Sequence, residues 1–180
     1  MIRNNSQNQG EQLRILNFEG NAAKYIDELI RLDRTCLSTY STVWSEDNFM
    51  LDLPQKGQLS KLAILEDNLI GYLVCSSYQD QRICHIHRLA VRSDYRRLGI
   101  AQRLCKTSFR ECLKLGISKV TVETANKDIP AKNLYTKLGL RLLEGAELYD
   151  YISRRGKEQP NRFSRDRDGF GVYSIELKRY

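Results

Sequence analysis

Arg92-Ser93-Asp94-Tyr95-Arg96-Arg97-Leu98-Gly99-Ile100-Ala101 joins an apolar, β-branched run, Ile83 to Val91, to an amphipathic segment from Gly99 to about Leu115. A strand that enters a helix through a basic turn places free N–H groups at the positive end of the helix dipole, which favours an anion such as a diphosphate. Gly99 lets the backbone approach closely, Leu98, Ile100 and Ala101 supply amides, and Arg96 and Arg97 add charge. The G-x-x-x-x-G-K-[ST] of a P-loop and the G-x-G-x-x-G of a dinucleotide fold are both absent. A plain strand-to-helix connection carrying surface arginines would look the same, so the flanking elements decide.

Upstream, Leu13 to Phe18 has strand character, and Ala22, Ile26, Leu29, Ile30 and Leu37 recur at helical intervals after Asn21. Ser45 to Leu53 reads as a short helix with an N-cap serine, closed by Pro54. Leu59 to Leu65, Leu69 to Ser77 and Ile83 to Val91 form an antiparallel meander. Downstream, Gly116 stops the Gly99 helix, Val120 to Glu123 is a strand, and Asp128 caps a helix through Leu138. Leu140 to Tyr151 and Gly171 to Leu177 read as two strands joined by a charged, Arg-rich connection over 153–168. The order β-α-α-β-β-β-α-β-α-β-β defines an α/β chain with a mixed sheet, in which Ile83 to Thr124 is a right-handed parallel crossover.

The 180 residues suit one domain over 12–180, preceded by a polar, flexible leader over 1–11 that has no apolar core of a secretory signal. No apolar run approaches the roughly 18 residues that span a bilayer, so no membrane passage is expected. Five cysteines, an odd number without a C-x-x-C pair, imply buried thiols in a reducing cytoplasm. The net charge of +7 is compatible with an anionic ligand, and monomer and homodimer both stay open.

Arg96 to Ala101 resembles the R/Q-x-x-G-x-G/A signature of the GCN5-related N-acetyltransferase (GNAT) family, and Ala131-Lys132-Asn133-Leu134-Tyr135-Thr136-Lys137-Leu138-Gly139-Leu140 is similar to its A-x-x-L-Y-x-K-x-G-F motif. The resemblance implies the acetyltransferase fold and acetyl-CoA as cosubstrate. It also implies that backbone groups of Leu89, Ala90 and Val91 pair with the pantetheine arm while Arg97 to Gln102 hold the pyrophosphate. The family usually has Asn seven residues before the tyrosine; here Asp128 stands there, with Asn126 nearby, and either is a candidate cofactor contact.

Acetyl transfer to an amine needs a proton acceptor for the amine and a donor for the departing thiolate. The resemblance places Tyr135 beside the cofactor sulfur, as the acid. For the base, Glu123 stands twelve residues before Tyr135, as in the ribosomal-protein alanine N-acetyltransferases. His85 and His87, on one strand face by the period of two, resemble the paired histidines of the arylalkylamine N-acetyltransferases and are the rival base. A metal on these histidines has no third and fourth ligand at recognisable spacing, although Cys84 is adjacent, so no metal is expected.

Trp44-Ser45 to Phe49 is similar to the acceptor-wall segment W-S-x-x-x-F of the alanine acetyltransferases, and Tyr149 and Tyr151 occupy the region of their peptide-clasping tyrosines. Trp44, Phe49, Tyr149 and Tyr151 are therefore the candidate substrate contacts, and the expected acceptor is a protein N-terminus. A small arylalkylamine or polyamine is the alternative acceptor. A nucleic-acid-binding module is a third class, against which the acidic residues interleaved with the arginines speak.

Overall fold

The computed structural model describes residues 12–37, 42–78, 81–158 and 169–178. Its strands are β1 (Arg14–Asn17), β2 (Lys61–Leu65), β3 (Asn68–Tyr78), β4 (Gln81–Val91), β5 (Lys119–Ala125), β6 (Arg141–Leu142) and β7 (Phe170–Glu176). They form one sheet in the order β1-β2-β3-β4-β5-β7-β6. Among these neighbours only β4 and β5 run parallel. The helices are α1 (Ile26–Leu37), α2 (Glu46–Met50), α3 (Lys56–Leu59), α4 (Ile100–Lys114), α5 (Ile129–Lys137) and α6 (Gly145–Glu158). The chain thus has the expected mixed α/β architecture, with α4 as the crossover between the parallel pair.

Each sheet face has its own apolar layer. Leu104, Cys105, Phe109 and Cys112 of α4 pack on Ala63, Leu73, Cys75, Cys84 and Ile86. On the opposite face Leu29 and Leu32 of α1 and Phe49 of α2 pack on Leu62, Ile64, Tyr72 and Val74. Full burial of side chains such as Leu29, Phe49 and Leu104 stabilises the fold by about 1.5–3 kcal/mol each. All five thiols are free, and all but Cys36 are buried in the α4 layer. Among the described residues no helix is long and apolar enough to cross a membrane.

Two segments differ from the sequence reading. Leu59 belongs to the single-turn helix α3, so β2 starts at Lys61; the Lys56 ammonium donates to the carbonyls of Phe49 (2.5 Å) and Leu51 (2.6 Å) and ties that turn to the end of α2. Leu140 to Tyr151 is not a strand. Only Arg141–Leu142 pairs with β7, and α6 follows, running into the Arg-rich segment as far as Glu158. Its stripe of Leu148, Tyr151 and Ile152 packs against Leu143 and Val172, and Arg141 clamps Glu147 in its first turn through two 2.6 Å bonds. The polar stretch 1–11 and residues 159–168 of the charged connection lie outside the described residues.

Candidate functional site

The site originates in a disagreement between neighbouring ladders. β3 follows β4 to its end, at Gly71↔Val91, and β7 follows β5 to Ala125↔Phe170. Between β4 and β5, however, the register stops at Ile86↔Val122. The two parallel strands therefore part, and a cavity of about 270 Å³ opens between them. A β-bulge coincides with the parting: Val74 pairs with Arg88 and Cys75 with Ile86, so His87 is an extra residue on β4. Bulges bend the strand that carries them. This one also reverses the parity of β4, because Cys84, Ile86, Leu89 and Val91 belong to the α4 layer whereas Ala90 packs in the α1 layer.

At the α4 side of the gap stands the basic turn. Arg97 has φ +63° and Gly99, which caps α4, has φ +79°; a Cβ on Gly99 would meet nothing within 4 Å. The first α4 amide with an intrahelical acceptor is that of Arg103, on the Gly99 carbonyl at 2.9 Å. The N–H groups of Ile100, Ala101 and Gln102 precede it and have no acceptor within the helix. Left-handed turns alternating with other conformations make concave, anion-binding arrays of amides. Arg97 and Leu98 are exposed, and Arg96 donates its Nε to the Val91 carbonyl at 3.0 Å, which links the turn to the end of β4. Leu89 lines the cavity itself, and Ala90 and Val91 continue the same strand.

α5 closes the same side. Asp128 caps it, its carboxylate accepting from the Ala131 N–H at 3.1 Å, while also lining the cavity. Asn126, at the end of β5, is exposed, and its N–H bonds the Gly169 carbonyl at 2.7 Å. Tyr135 lies in the cavity wall with its ring 6.3 Å from Tyr173, buried in the α4 layer. Burial pushes its phenol well above the ordinary value, so the hydroxyl keeps its proton at neutral pH.

Proton-accepting groups occupy the other face. His85 Nδ1 shares a hydrogen bond with Thr121 Oγ1 at 3.0 Å, and Glu123 follows on the same face of β5. His87 Nε2 shares one with Ser76 Oγ at 2.7 Å, and the two imidazoles meet edge-on at 5.0 Å. Glu123, His85 and His87 all line the cavity, together with Thr42, Trp44 and Arg88. The cavity wall thus joins a phenol to a carboxylate and two imidazoles, and the turn with its free amides follows the end of β4, to which Arg96 ties it, outside that wall.

The candidate acceptor residues are dispersed. Trp44 is in the cavity wall, but Phe49 is fully buried behind it, edge-on to Trp44 at 5.3 Å and to Tyr72 at 5.5 Å. Tyr149 is 74% exposed on the outer face of α6, away from the cavity residues. Tyr151 is buried, and its hydroxyl donates to Glu123 Oε1 at 2.6 Å. Missed altogether was the network behind Trp44. The fully buried Asp33 accepts from the Tyr72 hydroxyl (2.5 Å) and the Trp44 N–H (2.8 Å) and faces Arg88 Nε at 3.4 Å. Among the described residues no group of His, Cys, Asp and Glu is arranged to hold a metal.

A parallel pair splayed beside a glycine-capped helix, with helices on both faces of a seven-stranded sheet, is the fold of the GNAT acetyltransferases. The model of the acetyltransferase (GNAT) family matches residues 26–140, well over half of the sequence, and the chain belongs to that family. It is 28% identical over 106 residues to N-alpha-acetyltransferase 50 of Danio rerio, a match covering 57% of this chain and 63% of that one. It is 24% identical over 122 residues to a putative [ribosomal protein bS18]-alanine N-acetyltransferase of Bacillus subtilis, covering 67% and 78%. In three dimensions it resembles the ribosomal-protein-S18-alanine N-acetyltransferase of Escherichia coli, with TM-score 0.68, 14% identity and coverage of 94% of this chain and 96% of the other. It also resembles Arabidopsis thaliana Naa50 in complex with the bisubstrate analogue CoA-Ac-MVNAL, with TM-score 0.66, 17% identity and coverage of 92% and 99%.

Proposed function

We propose that the protein transfers the acetyl group of acetyl-CoA to a primary amine, and that its acceptor is the α-amine of a protein or peptide N-terminus. The observation that carries this reading is the gap between β4 and β5, whose lining is drawn from both faces of the sheet, Trp44 from the α1 side and Ala131 and Tyr135 from the α4 side. The donor enters from the α4 side, its pyrophosphate on the amides from Leu98 to Gln102 with Arg96 and Arg97 around it, and its pantetheine arm along Leu89 to Val91. The amine enters from the α1 side. Glu123 takes its proton as nitrogen attacks the thioester carbonyl, and Tyr135 gives its own proton to the departing thiolate. An α-amine, with a pKa of about 7.7–8.0, is already partly neutral near pH 7, whereas a lysine side chain near 10.4 is not, so a half-buried carboxylate suffices. The zebrafish relative's name and the peptide-bearing analogue on the plant enzyme support a peptide acceptor.

One observation favours a second reading, transfer to a small arylalkylamine or polyamine. Tyr149 lies outside the cavity, and the paired imidazoles of His85 and His87 lie within it. The deciding experiment incubates the protein with acetyl-CoA and a panel of short peptides, arylalkylamines and polyamines, following thiol release. Acetylated peptide α-amines are expected. Acetylation confined to small amines would overturn the acceptor class, and failure to bind acetyl-CoA together with steeply salt-dependent RNA or DNA binding would overturn the enzyme reading.

A further inference from the structure

Tyr151 stands where the family resemblance expects a substrate contact, yet its geometry is that of a different task. Its ring is buried, at 8% exposure, in the small cluster of Leu143, Leu148, Ile152 and Val172 that docks α6 on the sheet. The ring also lies 6.5 Å from that of His85, tilted by 34°. Cluster and imidazole together fix where the hydroxyl points, and it points at Glu123 Oε1, 2.6 Å away. That separation is the one typical of a hydroxyl donating to a charged carboxylate.

The last torsion of a glutamate side chain is soft, so a carboxylate at the end of a strand turns freely unless something holds it. One oxygen taken by Tyr151 determines the direction of the other. We propose that Tyr151 is the positioning residue for Glu123: its hydroxyl orients the carboxylate into the gap, while the tyrosine itself does not meet the acceptor. α6 thereby becomes part of the site's construction, carrying on its inner face the group that aims the base and on its outer face the exposed Tyr149. The inference rests on Glu123 acting as base. The other titratable or charged groups that face the same cavity are His85, His87 and Arg88 from β4 and Asp128 and Tyr135 from α5.

The test compares pH profiles of kcat/KM for wild type, Glu123→Gln, Tyr151→Phe and the double variant with one acceptor, so that the ionisation of the amine cancels. Tyr151→Phe keeps the ring and removes only the donor. It is expected to lower kcat about tenfold with acetyl-CoA affinity unchanged, the scale of a hydrogen bond to a charged group, and to move the inflection that Glu123→Gln abolishes. The double variant should be no slower than Glu123→Gln alone, because Tyr151 acts through the carboxylate. Replacing Tyr151 with 3-fluorotyrosine, a stronger donor of nearly the same shape, should also move the inflection, and it tests the same contact if Tyr151→Phe does not fold. An unmoved inflection, a loss that adds to that of Glu123→Gln, or a change confined to the acceptor KM would each overturn the positioning role while leaving Glu123 as base. If Glu123→Gln keeps both rate and inflection while His85→Gln removes them, the base assignment falls instead.

Discussion

Asp33→Asn tests whether the Trp44 wall of the cavity, the proposed acceptor side, depends on one buried charge. Asp33 has no exposed surface, and its carboxylate meets Tyr72 Oη, Trp44 N and Arg88 Nε at 2.5, 2.8 and 3.4 Å. The Arg88 guanidinium, itself only 8% exposed, stacks 4.8 Å from the Trp44 ring and donates to the Thr42 carbonyl. Asparagine fills the same space and can still accept one of these bonds, but it leaves Arg88 as a buried cation without its counter-charge. Removing one partner of such a pair costs about 3–5 kcal/mol. In a chain of this size each kcal/mol lowers Tm by about 2–4 °C, so a fall of roughly 6–20 °C is expected in thermal unfolding. The acceptor KM should rise, because Trp44 loses the carboxylate that holds its N–H. Acetyl-CoA affinity should persist, because the amide cradle is on α4. Adding Arg88→Met removes the stranded cation and should restore part of the stability. A loss below about 1 kcal/mol, or acetyl-CoA affinity falling in parallel with acceptor affinity, would refute the reasoning.

Gly99→Ala carries only the strain of a left-handed backbone, about 1–2 kcal/mol, since its Cβ has open space; Gly99→Glu sets a carboxylate where the diphosphate is proposed to bind. Calorimetry should find acetyl-CoA binding in the first and none in the second, and retained affinity in the glutamate variant would remove the phosphate-cradle assignment. Tyr135→Phe should lower kcat about 10²-fold with little change in acetyl-CoA affinity, and an unchanged rate would clear the phenol of acid duty. Burial lowers the Lys56 ammonium from its ordinary 10.5 to about 8. Between those values the unfolded chain binds more protons, so the contribution of Lys56 to stability rises as pH climbs from about 8 to 10.5, and its desolvation cost is fully present below about 8. Denaturant unfolding of wild type and Lys56→Met at both ends of that window checks the sign, since a difference independent of pH would contradict it.

What the sequence disclosed was local. The basic turn, the caps at Gly99 and Asp128, and the helical stripe of α4 are each written within a few consecutive residues, and they sufficed for the crossover and for the order of elements through α5 apart from the single-turn α3. What it concealed depends on partners far along the chain. α6 is masked by the arginines behind it, and Leu140 to Tyr151 reads as a strand, although Leu148, Tyr151 and Ile152 have helical spacing. Asp33 sits on the apolar stripe of α1, four residues from both Leu29 and Leu37, a position that requires a buried partner, but nothing nearby named Arg88.

The bulge explains why these hidden features belong together. With strict alternation through β4, Arg88 would share the face of Cys84 and Ile86 and enter the α4 layer, where apolar side chains and thiols offer no counter-charge. The extra residue at His87 turns Arg88 toward Asp33 and Trp44 instead, and it returns Leu89 and Val91 to the α4 side. The same extra residue sits where β4 leaves β5, beside the cavity. The sequence carries its trace in apolar positions that step from Cys84 and Ile86 to Leu89 and Val91, an interval of three where a flat strand requires two. A single extra residue thus marks the parting of the strands and orients the cation behind Trp44, so that deleting His87 should flatten the ladder and narrow the cavity while leaving Arg88 opposite Val74, on the side of Asp33; loss of Arg88 from Asp33, read as a fall in Tm like that of Asp33→Asn, would refute this.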